Sequence, residues 1–497
     1  MVNTSPTSSS LPLPAWLAPF ERLADRSPIA VRQLRQQLRG KTWTISLIAI
    51  PLLCLLAALL CFALERRDTP WSNITVPRML FGGYLLLWAA ICGAFQPGSA
   101  GRALRRERED QTWDLIELAG LGGYQIALGF WYAALVQIIL MSALFAPFLV
   151  MAWLLRGVDT EVLLIALVSV PAWGALMAAM TIFFASTPLP KKKKAGHIQV
   201  GGEILALLMS APFLIWLLFP NNVPSFLHGF GSSIMTIGII VSVWLLALSG
   251  CLVHAGTALS HPALNRSTGP RLISCIAALL FALWGALLDP FAGLGTAAVL
   301  IIVISIWCGL TAIAEFDGTT PRQQRWINEA RGFWQHTSWF LGPGCRRGRR
   351  CVLLIAALGL GCALASGNTR TMVGCMGMVA YAMTFFVLGD VVTRHLLWNA
   401  YVHRPRVQTI TTVMITGSVH IIGWLISLFL VAQSDSNSII ILIPIAAIQT
   451  LFSRGDSSSL AMMVAVMGFI SVTILIIQAC GRERGTVRLV GDTQGER

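Results

Sequence analysis

The stretch 43-WTISLIAIPLLCLLAALLCFAL-64 contains no charged residue and is long enough to cross a bilayer. A helix rises 1.5 Å per residue, so roughly 20 apolar residues traverse a hydrocarbon core of about 30 Å. Comparable runs recur at 77–95, 126–155, 162–185, 201–219, 233–257, 272–288, 293–314, 351–366, 372–391, 409–431 and 460–480. With 43–64 these make twelve expected spans. A further run, 438-IIILIPIAAIQTLFS-452, is short and holds Pro444, which suits a re-entrant segment better than a crossing.

Composition agrees with a membrane class. The 497 residues are 56% hydrophobic and 12% charged, with a mean hydropathy of +0.72. Soluble domains carry about 25% charged residues. The net charge of +14 does not imply a nucleic-acid partner, because the cations lie in short segments between apolar runs. That distribution records topology, since Lys and Arg are retained on the cytoplasmic side. With the N-terminus inside, 30 of the 36 basic residues fall in cytoplasmic segments. Both termini are then cytoplasmic, and a multi-pass membrane protein is expected. Residues 1–42 are too polar, and the first span too long, for a secretory signal.

The expected fold is all-α and polytopic, about twelve transmembrane helices arranged as 6+6. Residues 1–42 form a cytoplasmic arm, 43–257 a first half and 258–271 a linker. Residues 272–480 form a second half, with a cytoplasmic loop at 315–350 and the re-entrant segment at 438–452. Residues 481–497 form a tail. Within the arm, Ser27-Pro28 is a good helix start. In 28-PIAVRQLRQQLRGK-41, Val31, Leu34 and Leu38 share one face, bordered by Arg32, Arg35 and Arg39. Such a helix suits the interface of the lipid bilayer, its stems buried and its charged heads out.

Residues able to support bond-breaking or ion-coupling chemistry are sparse. Gly40-Lys41-Thr42 lacks the earlier glycine of a phosphate-binding loop, and Arg35 stands at that position. Span interiors carry almost no ionisable group; Glu203, Asp289, Glu315, Asp317 and Asp390 sit at span ends, and the histidines are dispersed. Asp390 and Arg394 are spaced to pair on one helix face. The eleven cysteines include no C-x-x-C pair and mostly fall in or beside apolar runs, where cysteine acts as a small hydrophobe. No metal site, catalytic residue or bound cofactor is expected in this chain.

One segment departs from the basic loops. In 102-RALRRERED-QTWDLIELAG-LGGYQIALGF-130, residues 102–117 hold four arginines and five acids. Arg105/Glu109 and Arg106/Asp110 are spaced i, i+4 and favour a helix over 102–119, with Gly120 as a left-handed stop. Near-neutral charge gives anionic lipid little hold, whereas Trp113 beside mixed charges fits a protein-docking surface.

These residues resemble the permease subunits of ABC-type 2 transporters. In that family an arginine-rich amphipathic helix precedes two spans and a cytoplasmic coupling helix, patterned E-R-E-x-G-T-(aromatic or Leu)-(Glu or Asp)-L-L. This chain offers Glu107, Arg108, Glu109, Thr112, Trp113, Asp114, Leu115, Ile116 and the neighbouring Glu117, then Leu118, Leu121, Ile126 and Gly129. Gln111 stands where the pattern has glycine, and Phe130 where it has lysine. The resemblance covers residues 28–155. It implies a non-catalytic transport subunit with a separate cytosolic ABC ATPase docked on 102–119, ATP and Mg belonging to that partner. The second-half loop does not repeat the E-R-E pattern, so either a homodimer or a degenerate second half is implied. Two other classes compete: an ATP-independent secondary transporter, and a membrane-embedded enzyme acting on lipid-linked substrates.

Overall fold

A computed structural model describes residues 27–65, 76–109, 116, 119–155, 160–186, 234–261, 264–289, 291–313, 315, 321–329, 331–396, 470 and 473. Every regular element among them is a helix. Nine of these helices are long and apolar enough to cross a membrane, the pattern of a multi-pass membrane protein. They coincide with nine of the twelve expected spans. The runs 201–219 and 409–431, nearly all of 460–480 and the segment 438–452 lie outside the described residues.

The chain divides into two compact units, Met1–Ser260 and His261–Arg497. In the first, α1 is Pro28–Leu38 and α2 is Lys41–Glu65. A long rod follows, made of α3 (Val76–Ala90), a π-turn (Ile91–Phe95) and α4 (Gln96–Glu109). The unit continues with α5 (Gly123–Leu154), α6 (Thr160–Ser186) and α7 (Ile234–Leu259). The π-turn has a local cause. Pro97 has no N–H for the Gly93 carbonyl, so the ladder must shift before it, and the Gln96 N–H bonds to the Ile91 carbonyl instead.

Helix α5 is the axis of this unit. Ile126, Phe130, Ala134, Ile138, Met141, Phe145, Leu149 and Ala152 recur at helical spacing, and all are buried. Neighbouring spans approach it through small residues and polar bonds, the means available where lipid removes the hydrophobic drive between helices. Trp88 donates to the Ser142 hydroxyl (3.1 Å). Trp131 donates to the Ala175 carbonyl (2.9 Å), and alongside, Thr181 of α6 donates to the Pro97 carbonyl of α4 (2.8 Å). By contrast, α2 presents Ile48, Leu52, Leu56 and Leu59 outward, each more than 60% exposed. That row needs a hydrocarbon solvent.

Gly174 marks the tightest of these crossings. A Cβ there would lie 2.7 Å from the Cys92 carbonyl oxygen and 3.3 Å from Ile138 Cδ1. Gly174→Val should therefore destabilise the unit by about 1–3 kcal/mol through forced separation of α6 from the rod. Gly250→Ala, where nothing lies within 4 Å, should be neutral. Melting of both variants in detergent checks this, and equal melting would refute the tight crossing.

The second unit contains α8 (Thr268–Leu288), α9 (Ala292–Ile313), α10 (Pro321–Glu329), α11 (Phe333–Leu341), α12 (Cys345–Ala365) and α13 (Thr369–Leu396). Its core joins Ala298, Ile301 and Ile302 of α9 to Val352, Ile355 and Ala356 of α12, with Val379, Met383 and Phe386 of α13. Asn368 caps α13, its side-chain oxygen accepting the N–H groups of Arg370 (3.0 Å) and Thr371 (3.3 Å).

The region 315–350, expected as a loop, is largely helical. It forms α10, α11 and the first turns of α12, so the basic run 346-RRGRR-350 is part of a helix. Cations at a helix N-terminus oppose the macrodipole. Here they reach back to the carbonyl end of α11. Arg347 donates to the Ser338 carbonyl and Arg350 to that of Trp339, each at 3.3 Å. The Arg350 guanidinium also lies 5.1 Å from the Trp339 ring centroid.

Arg271, which closes the expected 258–271 linker, is buried in the first turns of α8. It donates to the Gly342 carbonyl, to the Gly344 carbonyl (3.0 Å) and to Glu315 Oε2 (2.7 Å). Glu315 in turn accepts the Gly344 N–H (3.0 Å). A polar cluster at the span ends thus pins the α11–α12 turn to α8. Beside it, the Cys351 sulfur lies 3.7 Å from that of Cys275 and 3.9 Å from that of Cys308. These are packed thiols in an apolar setting.

Candidate functional site

The polar end of the rod gathers most of the residues singled out by sequence. Ala100, Leu104 and Glu107 recur at i, i+4 and i+7 on α4 and are all buried. The stripe that carries the apolar contacts therefore turns Glu107 inward. Its Oε1 and Oε2 accept hydrogen bonds from the Arg32 guanidinium at 2.9 and 3.2 Å. Oε1 also accepts one from Gln33 Nε2 at 3.3 Å. The Glu107 side chain is 10% exposed and that of Arg32 is 47% exposed. A carboxylate so placed needs these donors, since an unpaired buried charge is costly. The pair fixes α1 to α4.

Helix α1 also packs on α5. Ile29 and Ser27 sit over Gly129, where a Cβ would lie 2.9 Å from Ile29 Cβ and 3.2 Å from Ser27 Oγ. Eight residues on, Gln137 donates to Gln37. Both helices advance by eight residues between these contacts, so they run side by side in the same direction. The buried face of α1 is Ile29, Ala30 and Gln33, whereas Val31, Leu34 and Leu38, the stripe expected to be covered, are half-buried. Arg35 and Arg39 are exposed.

Arg108 points to a different neighbour. Its guanidinium donates to the Ala185 carbonyl (3.1 Å) and the Ser186 carbonyl (2.8 Å). These belong to the last turn of α6, where helical carbonyls lack partners within the helix and the dipole favours a cation. Glu109 ends the described part of α4 and is exposed. Thr112, Trp113, Asp114, Leu115 and Glu117 lie outside the described residues, whereas Ile116 is buried. Gly120 has φ +71°, the left-handed turn expected of it.

Between α1, the start of α2 and α4 lies a cavity of about 440 Å³. Its walls include Gln33, Gln36 and Gln37 of α1, Arg102 and Arg106 of α4, and Gln137 of α5. Trp43 and Ser46 of α2 border it on the side of the apolar span. Sequence reading missed this cavity. Gln137 within an apolar span is the signal that could have led to it, because a lone amide at membrane depth needs a partner.

Among the described residues, no group of three or more His, Cys, Asp or Glu is arranged to hold a metal ion. His254 bonds through Nδ1 to the Gly250 carbonyl of its own helix (2.8 Å). The side chains of Asp390, Arg394 and His403 lie outside the description. No family model matches the chain, and no curated protein or solved structure matches it.

Proposed function

We propose that this chain is the permease subunit of an ABC-type transporter. It moves a substrate across the bacterial inner membrane, driven by ATP hydrolysis in a separate cytosolic ATPase that docks on the region 102–119. The observation that supports this most is the continuity of the rod. Helix α4 carries Arg102, Arg105, Arg106 and Arg108 with Glu107 and Glu109, and it extends the membrane-crossing helix that begins at Val76 with no break other than the π-turn. A displacement applied beyond Glu109 therefore acts directly on a span.

The contacts of α4 say which helices would follow. Arg108 engages the end of α6, and Glu107 engages α1, which is docked on α5. One push at the charged tip would move the rod, α1 and α6 together, with the π-turn at Ile91–Phe95 as the flexible point. In this reading ATP and Mg are held by the partner, both termini are cytoplasmic, and the assembly is either a homodimer or one chain with a degenerate second half.

Capture of the ATPase tests the proposal. Detergent-solubilised protein should retain a soluble ATPase. A variant carrying Glu109→Lys, Trp113→Ala and Asp114→Lys should lose at least about ten-fold in capture while inserting normally, as expected for removal of a buried aromatic anchor and its flanking charges. Glu107 is left intact in this variant, because its carboxylate serves Arg32. Undiminished capture would refute docking at this helix. Transport by the isolated chain that a protonophore abolishes would point to secondary transport instead.

A further inference from the structure

The cavity at the α1–α4 junction combines three properties. The first is charge. Arg102 and Arg106 lie one turn apart on α4 and both line it, while the Glu107 carboxylate is answered by Arg32. Among the described residues that line the cavity two arginines outnumber the one acid, although residues 102–117 as a whole are near neutral. The second is hydrogen-bonding capacity. Gln33, Gln36, Gln37, Gln96 and Gln137 contribute amides, and Ser46 and Ser99 hydroxyls. Gln33, Gln96 and Gln137 are each at least 95% buried. A half-open hollow lined by amides is a natural place for a polar guest. Its volume of about 440 Å³ lies in the range of roughly 300–1,000 Å³ usual for ligand sites.

The third property is position. Trp43 and Ser46 line the cavity at the start of α2, where the apolar span begins. Just beyond them on α2, Leu47 and Ile48 are 42% and 68% exposed, and Phe95 on the cavity wall is 45% exposed. A guest whose polar part occupies the cavity thus has an apolar surface beside it for hydrocarbon. Tryptophan at such a boundary is the usual companion of a head-group layer.

We infer that this cavity binds the phosphate head group of an anionic glycerophospholipid, with its acyl chains lying along the outward face of α2. The guanidinium groups of Arg102 and Arg106 hold the phosphate oxygens, geometry for which arginine is well suited. The glutamine amides bond the remaining head-group oxygens. Binding there bridges α1 and α4. The inference does not depend on the ATPase reading, and either can fail alone.

Native mass spectrometry of the full chain in detergent tests it. Phosphatidylglycerol, phosphatidylcholine, glycerol phosphate and inorganic phosphate are offered separately. The expected result is one phosphatidylglycerol retained per chain, at least about ten-fold more firmly than phosphatidylcholine. R102Q/R106Q should abolish that preference, R102K/R106K should retain part of it, and R325Q, on the exposed α10, should leave it unchanged. If R102Q/R106Q does not fold, Gln36→Glu, which adds an acid to the wall from an exposed helix position, should lower retention about ten-fold. Equal retention of both lipids, or retention indifferent to R102Q/R106Q or Gln36→Glu, would overturn the site. Binding of glycerol phosphate or inorganic phosphate as firmly as phosphatidylglycerol would overturn the lipid assignment.

Discussion

Arg271→Ala should cost the second unit about 3–5 kcal/mol, the usual penalty for removing one partner of a buried ion pair. The guanidinium is 1% exposed, and it serves Glu315 and the Gly342 and Gly344 carbonyls at once. Alanine would leave the Glu315 carboxylate, 22% exposed, facing backbone oxygens without its cation. It would also open a void beneath Gly348, whose Cα position allows the guanidinium to approach: a Cβ there would lie 2.6 Å from Arg271 Nη2. Arg271→Lys should recover only part of the loss, because an ammonium cannot span three acceptors as a planar fork does. Glu315→Gln should be milder, since the amide oxygen can still accept. Proteolytic half-life in detergent, with cleavage mapped to the α11–α12 turn, is the measurement. A half-life for Arg271→Ala equal to that of the natural chain would show that the cluster contributes little.

Glu107→Arg should free α1 from the rod. The new cation would face Arg32 across a distance now spanned by a 2.9 Å ion pair, with Arg102 and Arg106 on the same cavity wall. Arg32 is about half exposed, so solvent moderates the repulsion. The loss of charge-assisted bonds together with the new repulsion should amount to about 1–3 kcal/mol. Hydrogen exchange over residues 28–38 should then accelerate about ten-fold or more. Adding Arg32→Glu to the same chain should restore most of the protection, because the reversed pair can re-form. Absence of rescue would mean that Glu107 acts through packing of α4 rather than through Arg32. The same measurement separates this contact from the proposed ATPase docking, whose test leaves Glu107 intact.

Much of the architecture was legible from periodicity. Charge-free runs such as 43–64 and 126–155 can satisfy their backbone groups in lipid only as helices, and they are α2 and α5. Pro28 opens α1, although the Ser27 hydroxyl makes no cap bond, and Gly120 marks a left-handed turn: local stereochemistry acts over a few residues, and the residue types record it. The 102–119 segment was harder to read. Its charges suggested a separate surface helix, whereas residues 102–109 belong to α4, which runs on from the span before it through a π-turn imposed by Pro97; most of 110–119 lies outside the described residues.

The residues whose meaning changed are those with partners far along the chain. Glu107 read as a docking acid and Arg271 as a loop cation. The first is held by Arg32, 75 positions away, and the second by Glu315, 44 positions away. Sequence by itself determined the solvent each segment requires, because apolar length and charge placement act locally and independently of partners. Tertiary structure alone decided which charges face each other, and where the amides of α1, α4 and α5 line a cavity. Those pairings depend on helix rotation and crossing angle, which are set by contacts among Gly129, Gly174, Ile29 and Cys92 that no local pattern encodes.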